Sequence, residues 1–346
     1  MIRPDDLEHC RNVIRTGSLS FHAASKLLPA SVRDPALALY AFCRLADDEV
    51  DEGQNKVRAV IELQERLALV YAGKPRNAPE DRAFASVVED FDMPAALPEA
   101  LLEGLAWDAM EHRYASLSDL RSYCARVASA VGAMMCVLMR VRDADALARA
   151  CDLGVAMQLT NIARDVGEDA RAGRIYLPLD WIHAEGLDPQ SVLSATQASP
   201  ELRRMVKKLL SEAQALYARS EVGVAALPLN ARTGIYAARY IYAAIGQAVT
   251  RNHYDSITHR GRTNRAQKMA LLAKSSLRTT ASLVMPKSPV LYARPLPEVQ
   301  FLVDAVAVNQ RHAMSWGQGH TGAFMAAMAE LKRKDHAQAS GVMLAK

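Results

Sequence analysis

Two short runs of the chain carry oxygen-bearing side chains at helical spacing. In "YAFCRLADDEVDE" (40–52), Asp47 and Asp51 stand four residues apart. On a helix that is about 40° of rotation and ~6 Å of rise, so both carboxylates share one face. Tyr40 and Arg44 fall on the same stripe. In "QLTNIARDVGED" (158–169), Gln158, Asn161, Asp165 and Asp169 lie within roughly 80° of arc, with Arg164 beside them. Leu159, Ile162 and Val166 point elsewhere and can pack. Like charges at this spacing destabilise a bare helix by a few tenths of a kcal/mol. A divalent cation offsets that repulsion, and hard carboxylate oxygens suit Mg²⁺. A single pair of this kind is common on solvated surfaces. Two such faces with arginines nearby make a poor hydrophobic core and a good Mg²⁺–diphosphate site, because Mg²⁺ keeps waters and takes one or two carboxylates plus phosphate oxygens.

These residues must sit on helices, and the chain reads as helical almost throughout. No alternating strand pattern persists, and Ala, Leu, Arg, Met and Glu are plentiful. Long helices are expected over 33–52, 57–73, 97–113, 118–141, 144–171, 199–226, 230–257 and 264–284, with "SLSDLRSY" marking one start. The fold class is all-α. The apolar run 127–139, with Met134, Met135 and Met139, offers either a soft pocket lining or plain core filler. Four prolines in 286–297 read as a linker. The expected organisation is a helical domain over 1–285, that linker, and a partly helical appendage over 298–346 with a mobile end.

Half of the 346 residues are hydrophobic and 23% are charged, which excludes a disordered chain. Five cysteines, odd in number and without a C-x-x-C pair, argue against a disulfide framework or zinc site and for a cytoplasmic home. The acidic start "MIRPDDLEHC" is unlike a secretory signal. The run 127–139 falls short of the ~20 residues that span a bilayer, so membrane contact is expected to be peripheral. Between 251 and 294, nine Lys or Arg meet one acid, Asp255. Such a block is either a solvated face or a surface for anionic headgroups or phosphates. Aromatics are only 6% and are not interleaved with it, which disfavours nucleic acid.

Five segments, in chain order, resemble the squalene/phytoene synthase family of head-to-head trans-isoprenyl diphosphate synthases. They are "SLSFHAASKLLP" (18–29), "ALYAFCRLADDEVDE" (38–52), "YCARVASAVG" (123–132), "QLTNIARDVGEDARAGRIYLP" (158–178) and "ARYIYAAIGQAVTRNHYD" (238–255). The resemblance covers about 8–285, and the fourth segment is its most specific part. It implies a single helical bundle of the class I isoprenoid synthase type with a central active-site cavity. It implies that Asp47 and Asp51 on one wall, and Asn161, Asp165 and Asp169 on the other, hold Mg²⁺, with Mn²⁺ as a substitute. Ser18, Ser20, Arg44, Tyr123, Gln158, Arg164, Tyr242 and Arg260 would contact diphosphate, and Tyr176 would order the site. For Ser18, a simple helix cap is an equally good reading. Asp47, Asp51, Asp165, Asp169 and Tyr242 would be the catalytic set.

The activity implied is head-to-head condensation of two geranylgeranyl diphosphates through a cyclopropyl diphosphate to phytoene, a first step of carotenoid biosynthesis that needs no NADPH. The partners implied are that substrate, an anionic membrane surface on the cytoplasmic side and neighbouring carotenoid-pathway enzymes. Departures from the family pattern are His22, Ser129, Gly246 and His259 in "THRGR". They leave the carboxylates untouched. The rival readings are a dehydrosqualene or squalene synthase acting on farnesyl diphosphate and a non-catalytic assembly factor of the same fold. A chain-elongating prenyl synthase or terpene cyclase would carry differently spaced acidic motifs.

Overall fold

The computed structural model describes residues 1–52 and 56–307, apart from the side chains of residues 19, 20, 47 and 50–52. The helices in chain order are α1 (Pro4–Gly17), α2 (Leu19–Ser25), α3 (Ala30–Glu52), α4 (Lys56–Tyr71), α5 (Pro79–Phe91), α6 (Ala96–Ala109), α7 (Leu117–Cys124), α8 (Ala130–Leu138), α9 (Ala144–Arg171), α10 (Leu179–Ala184), α11 (Pro189–Leu193), α12 (Pro200–Val224), α13 (Leu229–Arg251), α14 (Arg265–Ala281) and α15 (Gln300–Ala307). No strand occurs among the described residues, and the protein is all-α. Seven of the eight long helices expected from the pattern are present, with ends shifted by up to six residues. The pattern misses α1 and α5, whose starts are written instead in Pro at the first turn followed by Asp or Glu.

α9 is the axis of the bundle. Asp143 caps it by accepting a hydrogen bond from the Ala146 amide at 2.9 Å. One face of α9 is sealed by Leu147, Cys151, Val155, Leu159, Ile162 and Val166. It packs along α12, α8 and α13. The expected single helix over 118–141 is broken. α7 starts under Ser116, which forms a capping box with Asp119, and a π-turn at Ala125–Ser129 separates it from α8. The π-turn lies where α9 comes closest: a Cβ on Gly154 would stand 2.6 Å from Ser129 Cα. Ser129 Oγ donates to the Cys151 carbonyl at 2.7 Å across that contact.

Not all of the central surface is sealed. Val127, Val131 and Met135, each one turn apart, remain partly accessible, as do Leu153 and Met157 on α9. Met134 and Met139 are instead buried in the core.

The segment expected as a linker, 286–297, lies against the bundle. The buried Arg149 donates to the carbonyls of Val290 at 2.7 Å and Ala293 at 2.9 Å. Beyond it, Leu302, Val303 and Val306 of α15 join the hydrophobic core. The rest of the expected appendage, 308–346, lies outside the described residues.

Candidate functional site

The polar end of the α9 stripe carries four of the expected site residues. Asn161 Nδ2 donates to Gln158 Oε1 at 3.2 Å. Asp165 is gripped by two arginines: Arg164 Nε and Arg260 Nε each donate to Oδ1 at 2.8 Å. Arg260 also pairs with Glu168 at 3.0 Å. Arg260 reaches this place because the turn after α13 is pressed onto α9 at Gly167, where a Cβ would stand 2.7 Å from Ile257 Cα. The Gly167 amide donates to the Ser256 carbonyl at 2.9 Å, and Ser256 Oγ donates to the Ala163 carbonyl at 2.6 Å. Asp255 braces the turn by accepting from the Ile257 and Thr258 amides.

Asp169 differs from Asp165. Among the described residues it accepts no hydrogen bond to its side chain. Burial, and then the nearby charge of Asp165, push its pKa up to about 8, with Arg174 pulling the other way. A half-buried carboxylate beside another, with no donor of its own, is a site short of positive charge.

The next layer is aromatic. Tyr123 Oη donates to Asp108 Oδ2 at 2.8 Å and Tyr176 Oη donates to Asp108 Oδ1 at 2.7 Å. Their rings stack at 5.2 Å between centroids. Burial, and then the charge of Asp108, raise both phenols far above their ordinary pKa. Tyr242 of α13 is buried against Phe21, with ring centroids 5.2 Å apart. Its pKa is pushed up to about 12, chiefly by burial, while Arg164 lowers it.

The remaining expected site residues lie on α3 and around the α1–α2 junction. Asp47 and Asp51 lie in α3, and their side chains lie outside the described residues, as does that of Ser20. Arg44 Nε donates to Asp48 Oδ2 at 2.9 Å. Tyr40 meets Phe21 edge-on at 6.2 Å. Ser18 Oγ accepts from the Phe21 amide at 3.3 Å and so caps α2. The α1–α2 junction lies on α3, since a Cβ on Gly17 would stand 2.5 Å from Tyr40 Oη and 3.6 Å from Arg44 Cδ. Phe21, Tyr40 and Tyr242 thus join α3 to α13. Phe42 is ordinary core, stacked on Phe84 at 4.3 Å.

Sequence reasoning missed Asp108, Glu168, Arg174 and Asp48. Asp108 shows no local signal: it stands alone in "LAWDAM", and the two hydroxyls that it holds are 15 and 68 residues away.

Residues 14–268 match the model of the squalene/phytoene synthase family. The chain belongs to this family. Members similar to it include a phytoene synthase of Rhodobacter capsulatus, 59% identical over 90% of this chain and 93% of that one. A phytoene synthase of Cereibacter sphaeroides is 56% identical over 97% and 96%. Among solved squalene/phytoene synthase folds, a dehydrosqualene synthase in complex with a ligand superposes with a TM-score of 0.75 at 32% identity, over 80% of this chain and 97% of that one.

The family's chemistry calls for a divalent cation, and the donors of this chain can be tested for it. Among the described residues, no three carboxylate, imidazole or thiol groups converge to enclose a cation by themselves. Asn161, Asp165 and Asp169 offer only oxygen as the metal-binding atom. That sparse, hard set fits Mg²⁺, which completes its shell with water and phosphate. Asp169, buried beside the charge of Asp165 and accepting no side-chain hydrogen bond among the described residues, is the feature that favours a cation here.

Proposed function

We propose that the chain is a phytoene synthase that condenses two molecules of geranylgeranyl diphosphate head to head. The observation that carries this reading is the partly accessible stripe of α9, which passes from Leu153 and Met157 through Asn161 to Asp165 within roughly 120° of arc, with Asp169 at its polar edge. An allylic diphosphate has the same two-part character. Its head needs neutralising and its tail needs a dry wall. Asn161, Asp165 and Asp169, with Asp47 and Asp51 from α3, would hold Mg²⁺, or Mn²⁺ in its place. A cation held by these residues would supply positive charge to offset that of the leaving pyrophosphate.

The other groups then have defined tasks. Arg164 and Arg260, which share Asp165 here, would turn to the diphosphate oxygens once a cation satisfies that carboxylate. Arg44, Gln158, Ser18 and Ser20 would complete the head-group contacts. Tyr242, a phenol near pH 7 whose pKa burial raises further, would present its hydroxyl as a donor to the head group. Asp108 pins Tyr123 and Tyr176, so the wall behind Asp169 stays closed to water while the allylic cation exists. The reaction ends by proton loss, so no NADPH is required. The oily product calls for a place beside the cytoplasmic face of a membrane.

The likeness to a dehydrosqualene synthase supports a second reading, with farnesyl diphosphate as substrate, at lower identity. Purified protein incubated with Mg²⁺ and each diphosphate, with and without NADPH, separates the two. Phytoene from geranylgeranyl diphosphate, independent of NADPH, is expected. A C30 hydrocarbon from farnesyl diphosphate alone would overturn the assignment.

A further inference from the structure

α14 packs inward through Leu271 and small polar side chains and leaves a stripe of apolar side chains outside. It packs on α13 through small polar groups. Ser275 is fully buried, and Thr233 Oγ1 donates to Thr279 Oγ1 at 3.0 Å. Arg232 Nη1 donates to Ser282 Oγ at 3.0 Å, just past the helix end. Arg278 is tied to Glu221 of α12 at 2.9 Å. The outer stripe is Met269, Ala273 and Leu277, at steps of four residues, and Val284 two turns on. Leu277 is 74% exposed and Val284 85%. Leu283, Met285 and Tyr292 extend the patch into the following turn. Of the ten large hydrophobic side chains exposed among the described residues, seven fall within 269–292. Clustering of that kind is not the scatter of single apolar residues found on ordinary surfaces.

The same stretch is uniformly basic. Between 261 and 294 there are seven Lys or Arg and no Asp or Glu. Lys287 is exposed beside the apolar stripe, and Lys274 is exposed on its flank with Nζ 4.5 Å from the Tyr240 ring centroid. We infer that α14 and the 282–292 turn form a docking face for an anionic lipid bilayer, with the apolar stripe entering the headgroup–acyl boundary and the lysines meeting lipid phosphates. Apolar area and basic charge on one surface helix are the two ingredients of interfacial binding. A second copy of the chain fits less well, because it would set two basic patches against each other. The chain's own 308–346 segment fits less well for the same reason, since it carries five Lys or Arg against two acids. α14 also begins five residues after Arg260, which is paired with Asp165 at the acidic end of α9. The inference does not depend on which prenyl diphosphate the enzyme takes.

The test is flotation of the full-length protein with vesicles of neutral phosphatidylcholine or of phosphatidylcholine with phosphatidylglycerol. Binding to the anionic vesicles is expected, weakened about tenfold or more by omitting the anionic lipid or by high salt. Leu277→Glu and Val284→Glu should each reduce partitioning about tenfold, with helical content and detergent-supported turnover unchanged. Val284 lies beyond the helix end, so that variant remains informative if Leu277→Glu disturbs α14. Absence of binding, equal binding to both vesicle types, or wild-type binding by a folded variant would overturn the proposal. So would a stable dimer in solution that Leu277→Glu dissolves.

Discussion

The two ends of α9 both bury charge, and they resolve it differently. At the N-terminal end, Arg149 and Arg219 converge on Asp152 Oδ2 at 2.6 and 2.8 Å, and Arg149 adds the carbonyls of Val290 and Ala293. That cluster ties the 289–294 stretch to the bundle, although Asp152 Oδ1 lies buried without a hydrogen-bond partner among the described residues. At the C-terminal end, Asp165 is shared between two arginines, while Asp169 accepts no side-chain hydrogen bond among the described residues and its pKa is pushed up to about 8 by burial and then by Asp165. At one end the carboxylate is held by two arginines that find their other acceptors in the protein's own backbone; at the other, Asp169 is left without a donor among the described residues. A structural ion cluster resists unfolding, and a catalytic one holds back affinity for a ligand it has yet to meet.

Substitutions at the two ends should therefore separate activity from stability. Asp165→Asn should lower product formation by about 10²–10³-fold, the scale of losing one preorganised electrostatic contact, with little change in melting temperature. Steady-state assays beside thermal denaturation check this. Arg149→Met should do the reverse. Breaking a buried ion pair costs about 3–5 kcal/mol, read from urea unfolding, while turnover per folded molecule at low temperature stays near wild type.

Asp108→Asn tests the layer between. Weakening two charge-assisted hydrogen bonds should cost about 1.5–3 kcal/mol each at most. Activity should fall less than in Asp165→Asn, and Tyr123→Phe in that background should add little.

The smallest effect is one of pH. Asp169 carries a folded-state pKa of about 8, above its unfolded value. The native state therefore holds more protons than the unfolded state between those values, and the metal-free protein should lose stability as pH rises from about 4 to 8. Cation binding requires the ionised carboxylate, so Mg²⁺ affinity should rise over the same window and level off above it. Calorimetry at pH 7 in buffers of different ionisation enthalpy should record release of about one proton. No release would remove Asp169 from the site.

What could be read in the sequence was local in sequence. The stripe from Gln158 to Asp169 is a spacing within one helix, and α9 spans the expected 144–171. What could not be read depends on distant contacts. The π-turn at 125–129 sits where the Gly154 backbone is pressed against Ser129, a tertiary cause with no local signature. The 286–297 stretch has the composition of a linker, yet its carbonyls meet a guanidinium more than 140 residues earlier in the chain. Asp108 was silent for the same reason. Ser18, by contrast, allowed both readings, and it caps α2.

The C-terminal end of α9 is most directly tested by titrating Mg²⁺ with inorganic pyrophosphate into wild-type, Asp165→Asn and Arg149→Met proteins at a temperature where all three are folded. Saturable binding in the wild type and in Arg149→Met, lost in Asp165→Asn, is the predicted result. Equal binding by all three, or none by any, would contradict the assignment of that end of the helix to the cation and the diphosphate.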